Sequence, residues 1–304
     1  MRCLSSGYSK MPRLPSAFLS WLVVLCLSAF WVGCARTPRQ PALTPTAERP
    51  TRLPAPITEI RPELARHFEG APGAFVLYDL NGNRYIRYNP ERCAERFIPA
   101  STFKVLNSLI GLESGVIPDE THVIKWDGTR YDVSSWNQDH TMQTAIQNSV
   151  VWYYQELARR VGKEKMQKYV EAAGYGNRDI SGQIDTFWLE GGLRISADEQ
   201  VEFLTRLYKQ DVPFSPRAVT IVKNILVLDK TDTYRLSGKT GSGVRVAPQV
   251  NWFVGYVEKN GNVYVFAVNV EPTATDAKLA AAIAKMNQAK EIAVQILREM
   301  GLLS

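Results

Sequence analysis

Ser101-Thr102-Phe103-Lys104 is the one S-x-x-K in a chain of 304 residues, and nucleophilic chemistry would start there. Positions three apart on a helix share a face about one turn apart, so this hydroxyl and this amine can meet. A serine at a helix start also sits at the positive end of the dipole, where a developing oxyanion is favoured. The apolar neighbours Phe103, Val105, Leu106, Leu109, Ile110 and Leu112 imply burial, and burial drives an amine towards its neutral form. A neutral nitrogen acts as a base or reacts with carbon dioxide. Taken alone, the same four residues fit a capping serine beside a solvated lysine just as well.

Lys239-Thr240-Gly241 is the one K-T-G of the chain. On an edge strand beside Ser101, Lys239 would supply a cation and Thr240 a hydroxyl for a carboxylate. Gly241 would let a backbone come close, and Ser242 would offer a second oxyanion N–H. By itself K-T-G is a common turn sequence. Ser149-Val150-Val151 falls where one helical stretch, Thr141–Gln147, gives way to another, Trp152–Arg160. A hydroxyl at that junction can relay a proton, and a plain helix cap would look the same.

These residues need a scaffold. Apolar residues make up 45% of the chain and charged residues 22%, which is ordinary for a globular protein and excludes wholesale disorder or a polytopic membrane protein. Arg2, Lys10 and Arg13 are the only charges in the first 33 residues, and removing them leaves 33 basic against 30 acidic residues. That balance gives no electrostatic case for nucleic acid as a partner. Cys3, Cys26 and Cys34 lie near the start, leaving Cys93 alone in the body. One thiol makes neither an internal disulfide nor a Cys-rich metal site. His67, His122 and His140 are scattered, so no metal is expected and a Ser-His-Asp triad has few candidates.

Phe18–Val32 is an apolar run behind a basic head, shorter than the roughly 20 residues of a spanning helix, and reads as an export signal over residues 1–33. Its end, Val32-Gly33-Cys34, is similar to a bacterial lipoprotein box in which Cys34 is lipidated after cleavage, although Trp31 stands where leucine is usual. Plain cleavage and an uncleaved anchor are the alternatives. Residues 34–56 carry six prolines, a density that favours an extended tether. The expectation is an exported body, periplasmic or held at a membrane surface through Cys34 alone.

Within the body, 57–304, the segment Ile57–Glu69 reads as helical with Pro62 as a potential break. Ala74–Leu80 and Arg84–Asn89 around Asn81-Gly82-Asn83 read as a hairpin, as do Asn251–Lys259 and Asn262–Glu271 around Asn260-Gly261. Ser196 and Glu199 form a capping box for Ala197–Lys209, and Ser215-Pro216 opens another helix. Lys278–Met300 is an amphipathic helix with Leu279, Ile283, Met286, Ala293, Leu297 and Met300 on one stripe. Strands at both ends with helices between predict an α+β fold: one antiparallel sheet flanked by helices, with a helical lobe inserted at about 105–215.

S-x-x-K, a middle serine motif and K-T-G recur in this order in serine β-lactamases and penicillin-binding proteins. The middle motif here is Ser-Val-Val, followed by Tyr175-Gly176-Asn177, Phe187-Trp188-Leu189-Glu190-Gly191 and Leu193-Arg194-Ile195-Ser196. With these in register the chain closely resembles the class D (oxacillin-hydrolysing) serine β-lactamases from about Ala74 to Glu271. That resemblance implies the shared β-lactamase and penicillin-binding-protein fold, and assigns roles. Ser101 would be the acylated nucleophile and Lys104, N-carboxylated by carbon dioxide, the general base. Trp188 would donate to that carbamate. Val151 and Leu189 would line its apolar pocket, and Ser149 would pass a proton to the leaving nitrogen. Lys239 and Thr240 would hold the carboxylate of a β-lactam substrate beside Gly241, and the N–H groups of Ser101 and Ser242 would form the oxyanion hole. Tyr175-Gly176-Asn177 would brace the site. No other cofactor is implied. The implied activity is β-lactam hydrolysis, with a non-hydrolytic penicillin-binding receptor as the alternative. One departure is visible: the arginine that many members carry about a dozen residues beyond the last strand is absent near Ala280–Ala282, where Lys278 and Lys285 are the nearby cations.

Overall fold

Two hairpins, one from each end of the body, meet at the centre of the sheet. The computed structural model describes residues 55–272 and 279–304, with backbone alone over 279–286. Strand β1 is Ile57–Ile60, and β2 (Gly73–Asp79) and β3 (Arg84–Tyr88) are the first hairpin. Helix α1 (Pro90–Ala94) and β4 (Arg96–Phe97) follow, and a 3-10 turn at Ala100–Phe103 runs into α2, Lys104–Glu113. Next come β5 (Val123–Ile124), β6 (His140–Thr141), α3 (Met142–Gln147), α4 (Val151–Val161) and α5 (Lys163–Ala172). After β7 (Ile195–Ser196), α6 is Ala197–Tyr208 and α7 is Pro216–Ile225. The chain ends with β8 (Val227–Lys230), β9 (Tyr234–Gly243), β10 (Val250–Lys259), β11 (Asn262–Val270) and α8, Leu279–Glu299.

Among the described residues seven strands form one sheet in the order β1-β3-β2-β11-β10-β9-β8. Every pairing is antiparallel except that of β1 with β3. The turn between β10 and β11 is tight because Asn260 and Gly261 both take positive φ, 51° and 70°, as a type I′ turn requires. Strand β2 is buried on both faces, so it reads as a continuous apolar run. Phe75 and Leu77 join Phe253, Val268 and the α8 residues Ile292, Ala293 and Ile296 in one cluster. Ala74, Val76 and Tyr78 belong to the other, larger cluster with the helices of the inserted lobe.

Local signals set the helix starts. Ser196 and Glu199 cap α6 reciprocally, and Ser215 caps α7 ahead of Pro216. Helix α7 packs on α2, so the run of helices continues to Ile225, past the expected end near 215. The segment Ile57–Glu69 departs further from its helical expectation. Residues 57–60 are a strand paired with β3, and only Pro62–Phe68 is helical, as a 3-10 turn with proline in its first turn. Ile57 and Ile60 are exposed, so no buried helical face exists there to outweigh the open edge of β3. Ala293, Leu297 and Met300 of the expected stripe pack in the core cluster under the sheet. The side chains of Leu279, Ile283 and Met286, the alanines at 280–282, Lys278, Lys285, the export signal, Cys34 and most of the proline tether lie outside the described residues.

Candidate active site

Helix α2 is buried at every position from Lys104 to Leu112. It carries the S-x-x-K lysine into the protein interior. Lys104 is fully buried, and its Nζ lies 2.6 Å from Ser101 Oγ in a hydrogen bond. It has no carboxylate partner among the described residues. Burial first, then the positive charges of Lys239 and Arg245, push the amine well below the ordinary lysine range. Its Nζ stands 5.5 Å from the centre of the Tyr154 ring. Ser101 is itself buried, keeping 7% exposure.

The turn before α2 is held from three sides. Ala100 takes a left-handed φ of 48°, rare for a residue with a Cβ, and its N–H donates to Trp188 O at 3.0 Å. Trp188 is fully buried and stacks on Phe103, with ring centres 5.4 Å apart. This puts Phe187-Trp188-Leu189 against the turn that carries Ser101. Trp188 Nε1 is buried and has no hydrogen-bond partner. Leu189 is buried and Val151 partly so, both in the lobe's apolar cluster. On the strand side, a Cβ at Gly241 would stand 3.0 Å from Thr102 Cγ2 and 3.1 Å from Pro99 O. Only glycine lets β9 come this close.

Ser149 also has a left-handed φ, 54°, and its Oγ is buried without a partner. It ends the bend between α3 and α4, as the motif spacing predicts. Ser149, Lys239 and Thr240 line one cavity of about 500 Å³. Strand β8 reaches only Ser237 on β9, so Lys239 to Gly241 occupy a stretch whose outer edge is open. Burial, and then the charge of Lys290, lower Lys239 to about 7. Ser242 Oγ is buried without a partner. Tyr175-Gly176-Asn177 stays out of the cavity. Asn177 exchanges backbone and side-chain hydrogen bonds with Gly192 and Arg194, bracing the loop behind Trp188.

Two further groups escape sequence reasoning. Lys290 and Asn287 of α8 line the same cavity as Lys239 and Thr240, so a cation is present there despite the alanines at 280–282. Counting residues from the last strand misses Lys290 because the length of the connection to α8 is free to vary. Arg245 pairs with Glu190 at 3.6 Å, joining the β9–β10 loop to the loop carrying Trp188. Nothing local in either sequence segment signals that contact.

A buried amine of depressed basicity against a hydroxyl, three buried donors without a partner among the described residues and a cationic, open-edged stretch of β9 can together deprotonate a serine, hold an oxyanion and dock a carboxylate. Known proteins resemble this chain in sequence and in fold. The penicillin-binding protein transpeptidase domain family matches residues 73–288. The β-lactamase OXA-48 of Klebsiella pneumoniae is 45% identical over 214 residues, 70% of this chain and 81% of that protein. The regulatory protein BlaR1 of Bacillus licheniformis is 38% identical over 233 residues, 76% of this chain but 37% of its own length. The crystal structure of a class D β-lactamase, YbXI from Nostoc, superposes with a TM-score of 0.73 at 42% identity, covering 79% of this chain and 99% of its own.

Proposed function

Because the chain belongs to the class D β-lactamases, we propose that it opens β-lactam amides through an acyl-Ser101 intermediate, with N-carboxylated Lys104 as general base. Antibiotic resistance would be the outcome. The observation that carries this reading is the 2.6 Å contact between the Ser101 hydroxyl and the buried Lys104 amine, whose basicity burial depresses. A carboxylate on Lys104 suits its surroundings. The neutral amine is the state that adds carbon dioxide, and the buried Trp188 Nε1 and Ser149 Oγ lack acceptors, a costly condition unless something fills it. When present, the carboxylate supplies an oxygen base for both half-reactions.

Ser101 Oγ gives up its proton and attacks the lactam carbonyl carbon. The carbonyl oxygen gathers negative charge between the N–H groups of Ser101 and Ser242. As the carbon–nitrogen bond breaks, Ser149 delivers a proton to the nitrogen. Water then adds to the acyl carbon, losing its proton to the base, and Ser101 leaves as the hydroxyl. Lys239 and Thr240 hold the substrate carboxylate, with Lys290 as the second cation in the cavity. Val151 and Leu189 keep bulk water from the base.

The test is steady-state turnover of a chromogenic cephalosporin with and without added bicarbonate. Multiple turnovers that rise with bicarbonate are expected, and Lys104→Ala should lose deacylation most. A stoichiometric burst without turnover would instead make the protein a penicillin-binding receptor, the reading that its likeness to BlaR1 keeps in view. We further propose that the body works outside the cytoplasm, anchored through a lipidated Cys34. Radiolabelled palmitate should enter the chain and not the Cys34→Ser variant, and equal labelling would refute the anchor.

A further inference from the structure

Thr102, the residue after the nucleophile, is 1% exposed and touches two elements at once. Its Oγ1 donates to Pro99 O at 2.7 Å and accepts from Gln200 Nε2 at 2.8 Å. Its Cγ2 is the atom nearest the place where a Cβ on Gly241 would stand. The hydroxyl therefore faces α6 and the methyl faces β9. A β-branched side chain is stiff about χ1, so fixing the hydroxyl fixes the methyl, and the methyl, with Pro99 O and Thr102 N beside it, forms the surface on which Gly241 of β9 rests.

Gln200 is itself 1% exposed, on a stretch of α6 whose neighbours Val201, Phe203 and Leu204 are apolar and buried. Packing alone would be served as well there by leucine or methionine, and a buried amide costs free energy unless it is bonded. Helix α6 is also tied to the chain that enters the nucleophile: β7, which leads into it, pairs with β4, and Glu199 pairs with Arg96. The amide of Gln200 thus reaches Thr102 from a platform that moves with Phe97–Pro99. The Tyr175 hydroxyl faces the same two side chains.

We propose that Gln200 is a positioning residue for the oxyanion hole, acting through Thr102 to set the spacing between the Ser101 and Ser242 N–H groups. This rests on the proposed role of those two N–H groups. It does not involve Lys104, which lies two residues further along the chain at the start of α2.

The test uses the full protein with Gln200→Met, which keeps length and loses the amide, and Thr102→Val, which keeps the branch and loses the hydroxyl. Active-site titration corrects each rate for the folded fraction. Acylation should slow about tenfold in either variant, the effect of one neutral hydrogen bond, with little change in substrate affinity. Inhibition by phenylboronic acid, whose adduct with Ser101 is tetrahedral, should weaken by the same factor, and the double variant should lose no more than either single one. The bicarbonate concentration giving half-maximal turnover should not move. Three results would each overturn the proposal: unchanged acylation per active site, unchanged boronate affinity, or a shift in the bicarbonate requirement. If Gln200→Met does not fold, Thr102→Val alone decides by the same readouts. A wild-type protein that neither turns over substrate nor binds the boronate would refute the proposed function instead.

Discussion

Replacing Trp188 by phenylalanine removes one N–H and little else. The phenylalanine ring still faces Phe103 and Phe187, whose centres lie 5.4 and 5.0 Å from the Trp188 ring. The backbone carbonyl of residue 188 still accepts from Ala100 N. What is lost is the buried donor on Nε1, which has no partner among the described residues and is the proposed donor to a carboxylate on Lys104. A hydrogen bond to a charged group contributes about 1.5–3 kcal/mol. At roughly 1.36 kcal/mol per decade, carbon dioxide should then bind about 10 to 160 times more weakly. The assay is cephalosporin turnover in degassed buffer titrated with bicarbonate, alongside carbon-13 NMR of the labelled carbamate. Half-maximal turnover should need that much more bicarbonate, and saturation should restore most of kcat. The smaller ring leaves a void, so Tm should also drop a few degrees. A fall in kcat with an unchanged bicarbonate requirement would refute the reasoning, since the indole would then act by packing alone.

Lys239, lowered to about 7, is cationic below that pH and neutral above it, so kcat/KM should fall as pH rises through about 7. Bicarbonate should not move this limb. Lys290→Ala should raise KM severalfold and shift the same limb to higher pH, because the Lys290 charge is one cause of the lowering; an unmoved limb would argue against it. Gly241→Ala must push β9 away from Thr102 and Pro99, and an overpacking cost of about 1–3 kcal/mol carried into the transition state predicts a loss of roughly 5- to 160-fold in kcat/KM. Ser196→Ala removes the α6 cap and should lower stability by about 1 kcal/mol, read as a Tm drop with activity per folded molecule retained.

Features that depend on a few adjacent residues were legible in the sequence. Asn260-Gly261 specifies its turn whatever surrounds it, and the Ser196 cap needs only Glu199. The three serine and lysine motifs announce the site because each carries its chemistry within three or four positions. Legibility ends where partners are distant. Residues 57–60 are a strand because β3 offers an edge, and nothing within the segment says so. Lys290 reaches the cavity through a helix register that a residue count cannot supply. The Gln200–Thr102 bond spans 98 positions, and no local pattern marks a buried glutamine as bonded to one threonine.

Ser101 and Ser242, the proposed nucleophile and second oxyanion donor, stand about 140 positions apart in the chain, and β9 connects to β2 in the sheet only through β10 and β11. At about 5–20 residues per second, a ribosome releases Ser101 some 7 to 30 s before Ser242. For that interval the nascent polypeptide holds Ser101 and Lys104 without the burial that depresses the amine and without β9, so its serine should react with a β-lactam far more slowly than that of the finished protein.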